Sequence, residues 1–239
     1  MTLWDFGETH SLVHRIFGVA QEKLTKQSTR SVNDRKNYAS YHFTEAMRLS
    51  LNYDKKHLSG VKTLLHLYVQ GAEKKRRAYE NYICKAGAHS LAAVQSIHAL
   101  PDIVAHAVYF TAGQNLKPTA LVDGEIGLPR VSTTLKKDHD FSELSTHLSE
   151  LQSGLGWKHL AAVCNMSKHR SVVRATLSED WTGARPNHRE LHISSFERLG
   201  VHYSAKSLED LLEPEYNRIS IGIVTIGNEL NACLRKVVV

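Results

Sequence analysis

The segment from His89 to Gly113 constrains the fold more than any other part of the sequence. It is apolar on almost every side of a helix, with small, aliphatic and aromatic residues at nearly all positions. A helix with this pattern has no polar face to turn towards water, so we expect it at the centre of a bundle. Pro101 lacks the amide that bonds four residues back, and it either kinks this helix or restarts it. The prediction is a mainly α protein, a helical bundle built around this segment.

Two polar regions interrupt the helical pattern. Residues 25–37 carry few apolar side chains, which predicts a break between the first helix, over 9–26, and the next, which begins near Tyr38. Residues 115–138 are rich in Gly, Pro, Thr and Lys, which indicates an irregular connection. Helical spacing resumes after each region.

The last third of the chain changes its period. From Arg170 onwards the apolar residues alternate with a period close to two, which predicts a small antiparallel β insertion over 171–204. Helical spacing then returns in a C-terminal helix predicted over 207–236, and Ser207 with an acid three residues on is typical of a helix start. With no linker or repeat to divide it, the chain is predicted to form one domain over residues 1–239.

Composition narrows the class of protein further. The formal charge is +6, which favours anionic partners. Cys84, Cys164 and Cys233 are too scattered for a disulfide framework or a metal-binding pair, and the first residues lack the pattern of an export signal. No uncharged apolar run has the length of a membrane span, so we expect a cytoplasmic protein with no membrane contact. Walker loops, dinucleotide fingerprints and nucleophile elbows are also missing from the sequence.

The first candidate site lies near the end of a predicted helix that starts at Trp157. Asn165 and His169 are four residues apart and share a helical face, while Lys168 and Arg170 flank the histidine and Arg174 extends the basic strip. Neighbouring cations disfavour a charged imidazole, so His169 is expected to be neutral and able to act as a general base. The alternative to a functional site is a purely structural role, in which Lys168, His169 and Arg170 complement the negative end of the helix dipole.

The second candidate site is His98, Asp102 and His106. Steps of four residues rotate slowly around a helix, so these side chains are predicted to point to one side. Three interpretations remain open. The triplet is a zinc, iron or manganese site with a ligand from elsewhere, or a polar network that orients a catalytic histidine, or a set of core polar groups with ordinary partners or of histidines on an exposed edge. If Pro101 starts a new helix, the helical register between His98 and Asp102 is lost, and the three residues do not share one side.

These motifs together resemble the HEPN superfamily of helical-bundle proteins. The resemblance is carried by Gln95-Ser-Ile-His98 followed by Asp102, and by a helix that ends in Asn165-x-x-Lys-His169. It implies a helical bundle that forms homodimers. Many members are metal-independent ribonucleases of toxin–antitoxin and antiviral systems, which implies RNA as the partner and no cofactor.

The resemblance also implies roles for particular residues. His169 corresponds to the catalytic histidine of the family and Asn165 to its polar partner, with Asp102 and His98 bracing the site from a facing helix. In the family, four to six residues stand between the arginine and the histidine, which places the arginine at 162, 163 or 164 here. The sequence has Ala, Val and Cys at those three positions. The resemblance therefore supports nucleic-acid binding more than cleavage.

The leading hypothesis is a protein that binds RNA or nucleotide phosphate through Lys168, Arg170 and Arg174, and that acts as a metal-independent endoribonuclease if His169 is catalytic. One alternative is a non-catalytic protein-interaction module that uses the β insertion as its contact surface. The other is a metal-dependent enzyme built on the His98, Asp102 and His106 triplet.

Overall fold

A computed structural model describes residues 3–60, 63–65 and 73–238, and its elements are mainly helical. The helices of the described part are α1 (Phe6–Phe17), α2 (Val19–Tyr53), α3 (Glu73–Thr111), α4 (Leu128–Lys136), α5 (Leu144–Glu150), α6 (Gly154–His169) and α7 (Leu208–Val238). The strands are β1 (Ala175–Glu179), β2 (Arg189–Ile193), β3 (Phe196–Arg198), β4 (Val201–Tyr203) and β5 (Lys206–Ser207). The predicted fold class, mainly α with a small antiparallel β insertion, is confirmed.

The chain divides into two compact units, each described here by itself. The first unit comprises Met1–Asn37, Ile97–Lys158 and Glu215–Val239. The second unit comprises Tyr38–Ser96 and His159–Pro214. Several long helices contribute residues to both units. The interpretation as a single domain stays a prediction.

Helix α3 contains the segment predicted to lie at the centre. In the first unit Ile97, Leu100, Val104, Val108 and Tyr109 are all almost completely buried. Pro101 lies inside α3 without ending it, so the helix continues to Thr111 and the register of the neighbouring residues is kept. Among the described helices, α3 alone is long and apolar enough to cross a membrane. In its most apolar window, 56% is buried inside the protein.

Helix α2 corrects the predicted break over 25–37, because it runs without interruption from Val19 to Tyr53. Its buried face in the first unit is partly polar: Gln21, Thr25 and Thr29 are buried beside Val32. The hydroxyl of Thr29 donates to the carbonyl of Thr25 at 2.9 Å, so this polar group is satisfied within the helix. A search for regularly spaced apolar residues does not detect this part of α2, because the residues that it buries are largely polar.

The connection over 115–138 is more ordered than predicted, because it contains helix α4. Asp102 of α3 lies close to the start of this helix, and its carboxylate accepts the Leu128 amide at 3.0 Å. This satisfies one of the amides that a helix start leaves without an intrahelical partner. Pro129 in the first turn also favours a helix start, since its missing amide costs nothing there.

The β insertion lies where it was predicted, in the second unit. Strands β1 and β2 pair antiparallel, and β5 pairs with the other edge of β2. Two cross-strand pairs, Ala175 with Ile193 and Leu177 with Leu191, form the buried face of this small sheet. Strands β3 and β4 form a separate hairpin.

Helix α7 confirms the predicted C-terminal helix and extends it to Val238. The hydroxyl of Ser207 accepts the amide of Asp210 at 3.0 Å, which is the capping interaction that the sequence indicates. Pro214 is accommodated within the helix.

Candidate functional site

The predicted basic strip lies at the end of helix α6 in the second unit. The helix ends at His169, and the amides of Arg170 and Ser171 both donate to the carbonyl of Met166 at 3.0 Å as the chain leaves the last turn. Lys168, His169, Arg170 and Arg174 are all exposed. We call these four residues the basic surface.

The cations of the basic surface are not neutralised by carboxylates. Within the described residues, neither Lys168, Arg170 nor Arg174 forms an ion pair, whereas Arg76 and Arg77 of the same unit both pair with Glu73. Exposed cations that lack carboxylate partners add to the positive potential of a surface, which attracts anions. In the described part of the chain, the basic surface is therefore a group of exposed cations without carboxylate partners.

Helix α6 buries the three positions at which the HEPN resemblance implies an arginine. Ala162, Val163 and Cys164 are buried at 2% exposure or less, so these positions belong to the core. Burial raises the pKa of the Cys164 thiol, although nearby Lys168 opposes the shift. The thiol is therefore a core group, and an arginine at these positions would have to leave the core to reach solvent. Asn165, the next residue, is half-buried.

A cleft of about 240 Å³ opens beside the basic surface. Ser194 donates its amide to the carbonyl of Arg174 at 2.9 Å, and Val173 donates its amide to the hydroxyl of Ser167 at 3.2 Å, so the backbone on two sides of the cleft is held in place. The lining residues are Met166, Ser171, Val172, Val173, Arg174, Ser194, Ser195 and Phe196. One arginine, three serines and one phenylalanine are thus among the residues that line the same cleft.

The aromatic side of this cleft belongs to the β3–β4 hairpin. Phe196 and Tyr203 are directly opposite each other across the two strands, and their rings stack with centroids 4.9 Å apart. The ring of His159 lies 5.2 Å from Tyr203 and is buried. Burial, with a smaller effect of Lys206, lowers the pKa of His159, so this ring supports the hairpin as a neutral group.

Sequence reasoning did not single out Phe196, Ser194 or Ser195 as site residues. Their positions next to α6 depend on strand pairing over long sequence separations. The sequence signal available was two short strand-like segments, one with Phe196 and one with Tyr203, on either side of a short turn, which is typical of a hairpin.

The second candidate site lies in the first unit, where its three residues have separate partners. His98 stacks on Trp157 with ring centroids 5.3 Å apart, and Asp102 accepts the amide of Leu128. His106 lines a cavity of about 430 Å³ together with Phe110. Within the described residues, no group of three His, Cys, Asp or Glu side chains could hold a metal ion. The structure therefore gives the metal interpretation of this triplet no support.

Comparison of the chain with models of known protein families, with curated proteins and with solved structures finds no match. The class defined by the fold is a mainly α protein with a small antiparallel β part. Its candidate site is an exposed basic helix end beside a cleft with hydroxyl groups and an aromatic ring.

Proposed function

We propose that this protein binds RNA or nucleotide phosphate groups through the basic surface of Lys168, His169, Arg170 and Arg174. The observation that carries the proposal is that these neighbouring groups are exposed and that the three cations have no carboxylate partner in the described part of the chain. Phosphate contacts from Lys and Arg supply most of the affinity of proteins for nucleic acid.

The adjacent cleft favours single-stranded RNA over a duplex. Proteins bind unpaired bases by stacking them on aromatic rings next to a basic track. Phe196 lies in the lining of the cleft, and Arg174 lines the cleft while belonging to the basic surface. The hydroxyls of Ser171, Ser194 and Ser195 are suitable partners for phosphate or ribose oxygens.

Cleavage of the bound RNA is the enzymatic form of the proposal. His169 would take the proton from a ribose 2′-hydroxyl and Asn165 would position the phosphate, without a metal ion or other cofactor. Helix α6 supplies no arginine at 162–164, so Arg170 is the cation that would stabilise the charge developing on the phosphate. The homodimer that the HEPN resemblance implies and the cytoplasmic location expected from the composition belong to the same proposal.

Binding is tested by fluorescence anisotropy with a short, labelled single-stranded RNA. The double variant Arg170→Ala/Arg174→Ala is expected to lose most of the affinity. Lys74→Ala/Lys75→Ala is the matched control, because it removes the same charge from another exposed helical segment of the second unit. Equal losses of RNA affinity in both double variants would show that the affinity depends on the net charge of the protein and not on the basic surface.

Cleavage is tested separately by incubating total RNA with the wild-type protein, His169→Ala and His139→Ala. The last variant removes a fully exposed histidine of the first unit and serves as the control. Loss of cleavage in His169→Ala alone supports the enzymatic form. Identical RNA profiles with and without wild-type protein discard that form and leave binding.

A second candidate function, a non-catalytic protein-interaction module, is favoured by exposed apolar residues in the β region. Trp181 is 65% exposed, Leu199 is 83% exposed and Val201 is 51% exposed. Large exposed apolar patches mark protein contacts. The two functions differ in their response to salt, because an apolar contact does not weaken as salt rises whereas phosphate contacts do.

A further inference from the structure

A pair of histidines in the second unit connects helices α2 and α3. His42 of α2 and His89 of α3 are half-buried, and their Nδ1 atoms are 2.9 Å apart. Neither residue belongs to the basic surface or its cleft. The pair is therefore a separate feature that the proposed function does not use.

An aromatic ring of helix α2 lies beside the pair. The ring of Tyr41 lies 5.1 Å from His42 and 6.1 Å from His89, measured between centroids, and shields one side. Glu45, one turn along α2, forms an ion pair with Arg48 at 2.7 Å.

The separation of the two nitrogens indicates which metal ions fit. Imidazole nitrogens bind metals at about 2.0–2.1 Å, so two ligands at a right angle are about 2.9 Å apart and two ligands of a tetrahedron about 3.4 Å apart. The observed 2.9 Å equals the right-angle value. Square-planar and octahedral ions such as Ni²⁺ and Cu²⁺ prefer this angle, whereas Zn²⁺ in proteins prefers a tetrahedron.

We propose that His42 and His89 bind one divalent transition-metal ion of the Ni²⁺ or Cu²⁺ type through their Nδ1 atoms. In the described part of the chain no third side chain completes a cluster, so water fills the other coordination positions. In the metal-free protein one Nδ1 donates its proton to the other. When the metal binds, the donating ring carries its proton on Nε2 instead, and both Nδ1 lone pairs go to the metal without net proton release.

Metal binding at this pair would join α2 to α3 by two coordinate bonds. A ligand that binds only the folded state raises the free energy of unfolding in proportion to the logarithm of its concentration. Bound Ni²⁺ is therefore expected to raise the melting temperature of the protein. This gives a readout that does not depend on RNA binding.

The test is titration of the tag-free full chain with Ni²⁺ in a calorimeter. The wild-type protein and the control His139→Gln are expected to bind one ion with the same affinity, because His139 is fully exposed and distant in sequence from the pair. His42→Gln and His89→Gln are each expected to weaken binding about tenfold or more, since even outer-shell partners of metal sites have effects of that size. Zn²⁺ is expected to bind the wild-type protein more weakly than Ni²⁺ does.

A second measurement on the wild-type protein keeps the proposal testable if a variant fails to fold. Diethyl pyrocarbonate modifies accessible imidazoles, and mass spectrometry locates the modified residues. Ni²⁺ is expected to protect His42 and His89 while leaving His139 reactive. Equal modification of all three with and without Ni²⁺, or equal Ni²⁺ affinity in all histidine variants, would overturn the proposal and leave the pair as a hydrogen bond between two helices.

Discussion

Glu179 and Arg189 are directly opposite each other on strands β1 and β2, and their side chains form a buried ion pair at 2.9 Å. Only 7% of the Glu179 side chain and 8% of the Arg189 side chain is exposed. Glu179 also accepts the amide of Leu64, while Arg189 donates to Asp54 at 3.1 Å and to the carbonyl of Leu58 at 3.3 Å. These contacts join the small sheet to the rest of the second unit, which also carries the basic surface.

Removing the arginine is expected to destabilise the protein strongly. Arg189→Met leaves Glu179 as a buried charge without its cation, which typically costs about 3–5 kcal/mol in the free energy of unfolding. Urea unfolding followed by circular dichroism measures the loss. Arg30→Met is the control, because Arg30 forms an exposed pair with Asp34 at 3.7 Å and such pairs contribute about 1 kcal/mol or less. Equal losses in the two variants would contradict a buried ion pair.

The same pair predicts a particular pH dependence of stability. Burial alone would raise the pKa of Glu179, but hydrogen bonds from Leu64, Arg189 and Thr63 outweigh it and lower the pKa below the usual value. The unfolded state then binds more protons than the folded state near the unfolded pKa, so the contribution of Glu179 is present above that pKa and is lost as pH falls.

Urea titrations from neutral to acidic pH measure this effect. The free energy of unfolding of the wild-type protein is expected to fall more steeply with acidification than that of Glu179→Gln, which has no carboxyl to protonate at this position. Parallel curves for the two proteins would show that Glu179 contributes nothing to the pH dependence.

Asp102 is expected to act on the start of helix α4. Asp102→Ala removes the acceptor of the Leu128 amide and is expected to cost about 1 kcal/mol, the usual effect of losing a helix-capping side chain. Hydrogen exchange of the amides of Leu128, Arg130 and Val131 should become faster. Asp102→Asn keeps an oxygen acceptor and should lose less stability. Loss of RNA cleavage in Asp102→Asn at unchanged stability would instead indicate a positioning role.

The aromatic side of the cleft is expected to contribute to RNA affinity. Base stacking on an aromatic ring is typically worth about 1–3 kcal/mol per base, so Phe196→Leu should weaken binding of single-stranded RNA about fivefold or more. Leucine keeps an apolar group against the hairpin. Leu199→Ala, at the exposed tip of the same hairpin, is the control for anisotropy measurements and should bind RNA as the wild-type protein does. Unchanged affinity in Phe196→Leu would exclude stacking at this position.

Much of the fold could be predicted because its strongest signals are local. The apolar segment from His89 to Gly113, the period of the β insertion and the cap at Ser207 depend only on neighbouring residues, and each agrees with the structure. Two features could not be predicted from apolar periodicity. Helix α2 buries Thr25 and Thr29 where apolar residues are expected, and helix α4 begins at an amide accepted by the distant Asp102.

The candidate site also has a part that could be predicted from local sequence and a part that depends on contacts between distant residues. The exposed cations of the basic surface follow one another along the sequence, so their proximity could be predicted. The cleft beside them could not, since Phe196 and Ser194 reach it through strand pairing and through the backbone contact of Ser194 with Arg174. The His42 and His89 pair is likewise a contact between two helices far apart in sequence.

The salt dependence of RNA binding tests the central claim most directly. Each phosphate contact on a single strand contributes about 0.7 to the slope of log affinity against log salt concentration. If Arg170 and Arg174 contact phosphates, the slope for Arg170→Ala/Arg174→Ala is expected to be smaller than the wild-type slope by about 1.4. The slope for Lys74→Ala/Lys75→Ala is expected to equal the wild-type slope. Equal slopes for all three proteins, or an affinity that does not change with salt, would contradict phosphate binding at the basic surface.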